Sequence, residues 1–211
     1  MKILLFSDIH GDRRALERLV QTEADHYICA GDLGNWGRKL DECGEVLRPL
    51  GDRVHLIPGN HETSQQISAL CQKFGFHDFH GQSFPLGSFH VAGLGYSNIT
   101  PFQTPGEYTE DQIAEKLAAF NGIKPLLLVC HCPPFRSMLD RIVNYRHVGS
   151  TAVRAFIERE QPEYFFCGHI HEASGVAERL GETKAMNVGK QGFLLDLNPG
   201  LIKIQFPGLL Q

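Results

Sequence analysis

The chain has 211 residues, 42% of them apolar, and a formal charge of −4 at pH 7. A length of this order suits one hydrophobic core, so residues 1–211 are expected to form a single domain. The acidic balance and mixed charges argue against a nucleic-acid footprint, so no stable nucleic-acid partner is expected. No apolar run approaches the length of a membrane span, and the stretch Ile3 to Phe6 is too short for a signal-peptide core. The expected location is the cytoplasm, with no membrane partner.

Ile3 to Phe6 reads as a buried strand, and Arg13 to Gln21 as a helix with Ala15, Leu16, Leu19 and Val20 on one face. His26 to Ala30 is a second strand. Leu40 to Leu50 reads as a helix closed by Pro49 and Gly51. Val54 to Ile57 is a third strand, stopped by Pro58-Gly59, and Glu62 to Phe74 a third helix. This alternation predicts parallel strands with helices packed outside.

Gly75 to Gly95 carries short strands separated by glycines. Asn98 to Gly106 reads as an ordered loop, and Thr109 to Asn121 as a helix capped by Thr109. Leu126 to Cys130 is a buried strand. Cys132 to Val148 has no clear period and reads as a long functional loop. Ser150 to Arg159 is a helix, and Tyr164 to Cys167 a strand. From Gly175 onward only strands are expected: Gly175 to Leu180, Lys184 to Val188, Phe193 to Leu197 and Leu201 to Phe206, with a turn at Asn198-Pro199-Gly200. The expected fold is α/β: two mixed β-sheets packed face to face with helices on both outer sides, an αββα sandwich. The six cysteines form no Cys-x-x-Cys pair and are expected to be free thiols. Cys132, next to His131, is the one with an alternative reading as a ligand.

Eight polar positions stand out: Asp8, His10, Asp32, Asn60, His61, His131, His169 and His171. Most follow a short apolar run and sit beside a glycine or a helix-start signal, which places them on loops at strand ends. In extended backbone, residues i and i+2 point the same way, so Asp8 with His10, and His169 with His171, are each expected to aim two ligands into one site. In open α/β sheets the crevice lies beyond the carboxyl ends of the strands, where five such ends can converge. The oxygen and nitrogen donors suit manganese foremost, with iron, zinc or magnesium as alternatives.

As a set, Asp8-Ile-His10, Gly31-Asp32, Gly59-Asn60-His61-Glu62, His131 and Gly168-His169-Ile-His171 closely resemble the calcineurin-like metallophosphoesterase superfamily. The resemblance implies two divalent metal ions. Asp8, His10, Asp32 and His171 would hold the first, and Asp32, Asn60, His131 and His169 the second, with Asp32 bridging. A metal-bridging hydroxide would attack phosphorus in line, and His61 would assist the leaving oxygen as a catalytic residue without being a ligand.

The substrate is less legible. In the phosphoprotein phosphatase branch, Tyr-Val-Asp-Arg-Gly follows the bridging Asp; here Leu33-Gly34-Asn35-Trp36-Gly37 stands instead. Asn35 replaces the acid that would orient His61, and Trp36 replaces an arginine that would grip phosphate. Losing that bidentate cation weakens the case for a doubly charged monoester. The expectation is therefore a metal-dependent phosphodiesterase acting on a small phosphate ester such as a nucleotide, on which Trp36 could stack. Asn98, Phe135 and His147 are further candidates for substrate binding; the strings from Ser97 to Gly106 and from His147 to Ser150 resemble small prokaryotic phosphoesterases of the superfamily. The alternatives are a phosphomonoesterase on a small metabolite or protein, and a non-catalytic scaffold like the retromer subunit of this fold. The scaffold requires eroded ligands, whereas all eight positions are intact. Nothing in the sequence specifies an oligomeric state.

Overall fold

Every residue of the opening strand β1 (Lys2–Phe6) after Lys2 is fully buried, because both of its faces are covered. It pairs in parallel with β2 (His26–Cys29), which pairs in parallel with β3 (Val54–Leu56). The connections are the helices α1 (Arg13–Leu19) and α2 (Leu40–Leu47), and α3 (Ser64–Phe74) follows β3. The computed structural model describes residues 1–197; the expected strand Leu201 to Phe206 and the turn at Asn198 lie outside the described residues.

Several helix boundaries differ from the sequence reading, two of them for evident local reasons. The expected helix Leu40 to Leu50 is α-helical only to Leu47 and continues as a 3-10 turn, Arg48–Arg53. Pro49 has no N–H for an α-helical bond, and Gly51 takes φ 58°. The third helix starts at Ser64 rather than Glu62. Thr63 caps it by accepting from Gln66 N, and Gln66 returns a bond to Thr63 N, a reciprocal box that leaves Glu62 in the preceding loop.

The second half contributes β4 (His77–Asp78), β5 (Gln82–Leu86), β6 (Phe89–Leu94), β7 (Ser97–Asn98) and β8 (Glu107–Tyr108). Then come α4 (Glu110–Ala118), β9 (Leu126–Cys130), α5 (Thr151–Glu160) and β10 (Tyr164–Cys167). The strands β11 (Ala177–Leu180), β12 (Thr183–Asn187) and β13 (Phe193–Asp196) close the described chain. One sheet has the order β13-β1-β2-β3-β4, the other β11-β12-β10-β9-β6-β5. Antiparallel strands flank a parallel centre: β13 on the first sheet, β11 and β5 on the second.

Strand alternation sorts the apolar residues into three layers. Ile3 and Leu5 join Leu127, Val129 and Phe166 between the two sheets. Leu4 and Phe6 face the opposite way, against Leu16, Leu47 and Ile67 of the first three helices. Leu126, Leu128 and Phe165 pack against Ile113, Val153 and Phe156 of α4 and α5. The expected αββα sandwich is therefore the observed one. The six cysteines are free and buried. No helix among the described residues is long and apolar enough to cross a membrane.

Candidate metal centre

The loops after β1, β2, β3, β9 and β10 carry all eight singled-out positions, so both sheets contribute to one site at the same end of the sandwich. Backbone bonds stitch these loops together: Asp8 N donates to Gly31 O, His10 N to Asp32 O, and Gly168 N to His131 O. The extended backbone expected behind the i and i+2 pairing is absent, although Asp8 and His10 still meet in one cluster. Asp8, His10, Asp32 and His169 have φ of 58°, 50°, 54° and 68°, in the left-handed region. Such conformations are uncommon for residues other than glycine and cluster at functional sites. The turns, rather than an extended backbone, aim these side chains. His169 and His171 accordingly point into different clusters.

One cluster gathers Asp8, His10 and His171. His10 Nε2 lies 3.0 Å from His171 Nε2 and 3.9 Å from Asp8 Oδ1, and His171 Nε2 lies 3.4 Å from the same oxygen. A second gathers Asp32, His131 and His169. Asn60 Oδ1 joins it, 3.0 Å from His131 Nε2 and 2.9 Å from His169 Nδ1. Asp32 Oδ2 sits between the clusters, 3.6 Å from His10 Nε2 and 3.4 Å from His131 Nε2.

These spacings fit ligation. Donors about 2.1 Å from a common centre lie about 3.0 Å apart at right angles and about 3.4 Å apart at the tetrahedral angle. The charge balance fits as well. Asp8 and Asp32 are 3% and 2% exposed, yet neither is paired with a lysine or arginine among the described residues. A buried carboxylate pair needs positive charge nearby, and divalent cations would supply it.

The histidines respond to the same carboxylates. Burial lowers the His131 pKa, but Asp32 outweighs it and holds the ring up at about 9. Burial, and then the charge of His131, push His169 down to about 4, which leaves it neutral with a lone pair to offer. Burial also raises Asp32, but His131 carries it well below the ordinary carboxylate range. Its other oxygen, Oδ1, accepts from His61 N at 2.9 Å.

Three supports of this site have weak sequence signals. Glu62, fully buried, accepts from the backbone N–H groups of Asp32, Gly34 and Gly59 at 3.2, 2.7 and 2.8 Å, tying the Asp32 and Asn60 loops together. Burial and the Asp32 charge push it up to about 8, against the pull of those bonds. Its signal was its place in Gly-Asn-His-Glu. Thr104 and Glu107 carry no such cue. The Thr104 hydroxyl donates to Glu107 Oε1 at 2.6 Å, so only its lone pairs can meet Asn60 Nδ2, 3.1 Å away. That turns Asn60 Oδ1 toward the histidines. His131 is set likewise: its Nδ1 bonds Ala30 O at 2.8 Å, leaving Nε2 for the site. Gly59 is needed because a Cβ there would run into the Asp32 carboxylate.

Beside the ligands lies a cavity of about 710 Å³, lined by His10, Asp32, Asn60, His61, His169 and His171 on one side and by residues 98–102, Phe135, Ile142 and residues 146–149 on the other. The sequence candidates for substrate contact divide here. Phe135 and His147 line the cavity. Asn98 lines it too, but its amide is spent internally: Nδ2 donates to Val148 O and Gly149 O at 3.1 and 3.4 Å, and Oδ1 accepts from Cys132 Sγ at 3.0 Å. Asn98 is thus a clamp between two loops, and the Cys132 thiol is committed to it. Trp36 is half exposed and stands edge-on to His61, outside the cavity lining. Its backbone N–H donates to His61 Nδ1 at 3.4 Å, a contact on the ring where the acid missing at position 35 was expected to act.

A family model described as calcineurin-like phosphoesterase matches residues 1–173. The chain belongs to this family. Its members form a superfamily of metal-dependent phosphoesterases acting on small phosphate esters. An uncharacterized protein of Methanocaldococcus jannaschii is 32% identical over 96% of this chain and 94% of its own length. A protein of Vesicomyosocius okutanii named "Probable cyclic nucleotide phosphodiesterase" is 22% identical over 80% of this chain and 71% of its own. Among solved structures, TT1561 of Thermus thermophilus superposes with a TM-score of 0.75 at 19% identity, covering 98% of each chain, and so shares the fold.

Proposed function

We propose that this calcineurin-like phosphoesterase is a dinuclear, metal-dependent phosphodiesterase. The observation that carries the reading is the position of Asp32 Oδ2, between His10 of one donor cluster and His131 of the other. Asp8, His10, Asp32 and His171 would hold one divalent cation, and Asp32, Asn60, His131 and His169 the other, manganese being the first candidate. When bound, such a pair acidifies water and clamps phosphoryl oxygens. His61 lines the cavity beside His10, with ring centroids 4.8 Å apart, where it can meet the leaving oxygen.

Preference for a diester has two supports. At position 36, where the phosphoprotein phosphatase pattern has an arginine to grip a dianionic monoester, stands Trp36, and it lies outside the cavity lining. The cavity also continues well past the ligands, over Ile99, Phe102, Phe135 and Ile142, leaving room for an organic group beyond phosphorus. The name of the Vesicomyosocius okutanii relative points the same way.

The test is metal analysis followed by assay of bis-p-nitrophenyl phosphate against p-nitrophenyl phosphate, with and without manganese. The expected outcome is metal-dependent hydrolysis of the diester. Turnover of the monoester alone would sink the diesterase reading. Inactivity of the metal-loaded protein on both esters and on cyclic nucleotides would favour a scaffold.

A further inference from the structure

The cavity wall opposite the metal ligands is a loop tied together by hydrogen bonds to one carboxylate. Asp140 is fully buried, and both of its oxygens are engaged. Oδ1 accepts from Ser137 N at 3.0 Å and Oδ2 from Gly149 N and Arg136 N at 2.9 and 3.2 Å. His147 Nδ1 adds a contact of 2.6 Å to Oδ1. Three backbone N–H groups already satisfy this carboxylate, so the histidine is not needed to solvate it. The effect runs the other way: Asp140 fixes the imidazole, leaving Nε2 as the ring nitrogen free to meet a ligand in the cavity that His147 lines. Asn98 bolts this strap to the loop carrying Ile99 and Phe102.

The chemistry of the wall has two parts. Among the described residues, the exposed large apolar side chains are Trp36, Ile99, Phe102, Met138, Val143 and Tyr145. Trp36 neighbours His61, and the other five belong to the two loops of this wall. Of these, Ile99 and Phe102 line the cavity itself, and exposed apolar side chains at a cavity mouth mark a binding surface. The other part is charge. Residues 133–148 include Arg136, Arg141 and Arg146, and their one acid is the buried Asp140. Arg136 lies over the Phe135 ring and Arg141 over the Tyr145 ring. Arg146 lines the cavity with no ion pair or ring partner among the described residues. Besides Asp32, the acid in the lining is Glu172, which makes no ion pair with Arg146.

We propose that Arg146 and His147 form a second anion subsite, so that the substrate is a phosphodiester whose organic group carries an aromatic or apolar portion and a second anionic group. The aromatic portion lies on Phe135 and Phe102, and the second anion meets the Arg146 guanidinium and His147 Nε2. This assignment rests on the phosphodiesterase reading of the same cavity.

The test compares two chromogenic diesters on the manganese-loaded protein: thymidine 5′-(p-nitrophenyl phosphate) and the same ester with an added 3′-phosphate. The expected result is a kcat/KM about tenfold higher for the doubly charged ester, expressed mainly in KM. Arg146→Gln should reduce that ratio to near unity, and His147→Asn should reduce it in part. Equal kcat/KM for the two esters, or a preference that survives Arg146→Gln, would overturn the subsite. If neither these esters nor bis-p-nitrophenyl phosphate are hydrolysed, the phosphodiesterase reading fails, and calorimetry then decides the subsite by itself. Tighter binding of thymidine 3′,5′-bisphosphate than of thymidine 5′-phosphate, lost in Arg146→Gln, supports it. Equal affinities refute it.

Discussion

The two donor clusters lie on either side of Asp32 Oδ2 but differ in depth and in how their residues are held. In one, His131 is fully buried and Asn60 is 3% exposed; each has an outer partner, the Ala30 carbonyl and the Thr104 hydroxyl. In the other, the His171 side chain is 59% exposed and that of His10 17%, and their second ring nitrogens have no protein partner among the described residues. Outer partners orient ligands before a cation arrives and raise their affinity. The contrast implies a deep, preorganised half and a shallow, exchangeable half.

The largest effect should come from removing what the halves share. Asp32→Ala is expected to cost about 10³-fold or more in kcat/KM and to empty both clusters on metal analysis. Full activity in that variant would overturn the assignment of the site. Next, mild chelation of the metal-loaded protein should strip the shallow cluster first. His171→Ala should keep the slowly released fraction of bound metal, and His131→Ala should lose it; the reverse order would break the comparison. A finer probe is Thr104→Val, which frees Asn60 to turn. It should weaken metal affinity in the deep cluster by about 10- to 100-fold on calorimetry, with kcat recovering at saturating metal. An unchanged affinity would show that Thr104 does not orient Asn60.

A separate effect, on stability rather than turnover, lies outside the site. His55 is 5% exposed, bonds His26 across 3.1 Å and stacks on His77 and Phe84. Burial and these histidines depress its pKa from 6.5 to about 3. As pH falls below 6.5, the unfolded chain takes up this proton before the folded one does. Stability should therefore decline between pH 6.5 and 3, with a slope approaching about 1.4 kcal/mol per pH unit from this group. Urea unfolding of His55→Leu should show a flatter acid limb, and an identical limb would remove His55 as its cause.

Legibility followed the range of the interactions. Buried strands such as Ile3 to Phe6 and Leu126 to Cys130 are read directly, because burial on both faces demands unbroken apolar runs. The start of α3 was misplaced because a local contest, Thr63 capping against Glu62 as a helix former, was settled by hydrogen bonds. Trp36 and Asn98 read as substrate contacts because an aromatic and an amide on a loop suit that role. Only the packed loops reveal that one stands outside the cavity lining and the other is consumed as a clamp.

The sequence by itself determined the layered fold and the set of candidate donor residues, since period and residue type are local properties of the chain. Tertiary structure decided the rest. It supplied the left-handed turns at Asp8, His10, Asp32 and His169 that aim these side chains, which residue spacing cannot foretell. It set Asp32 Oδ2 between His10 and His131, and it brought Thr104, 44 residues away in sequence, against Asn60. Each of these depends on loops from separate strands meeting at one end of two sheets. Contacts that distant in sequence follow from packing rather than from any local pattern.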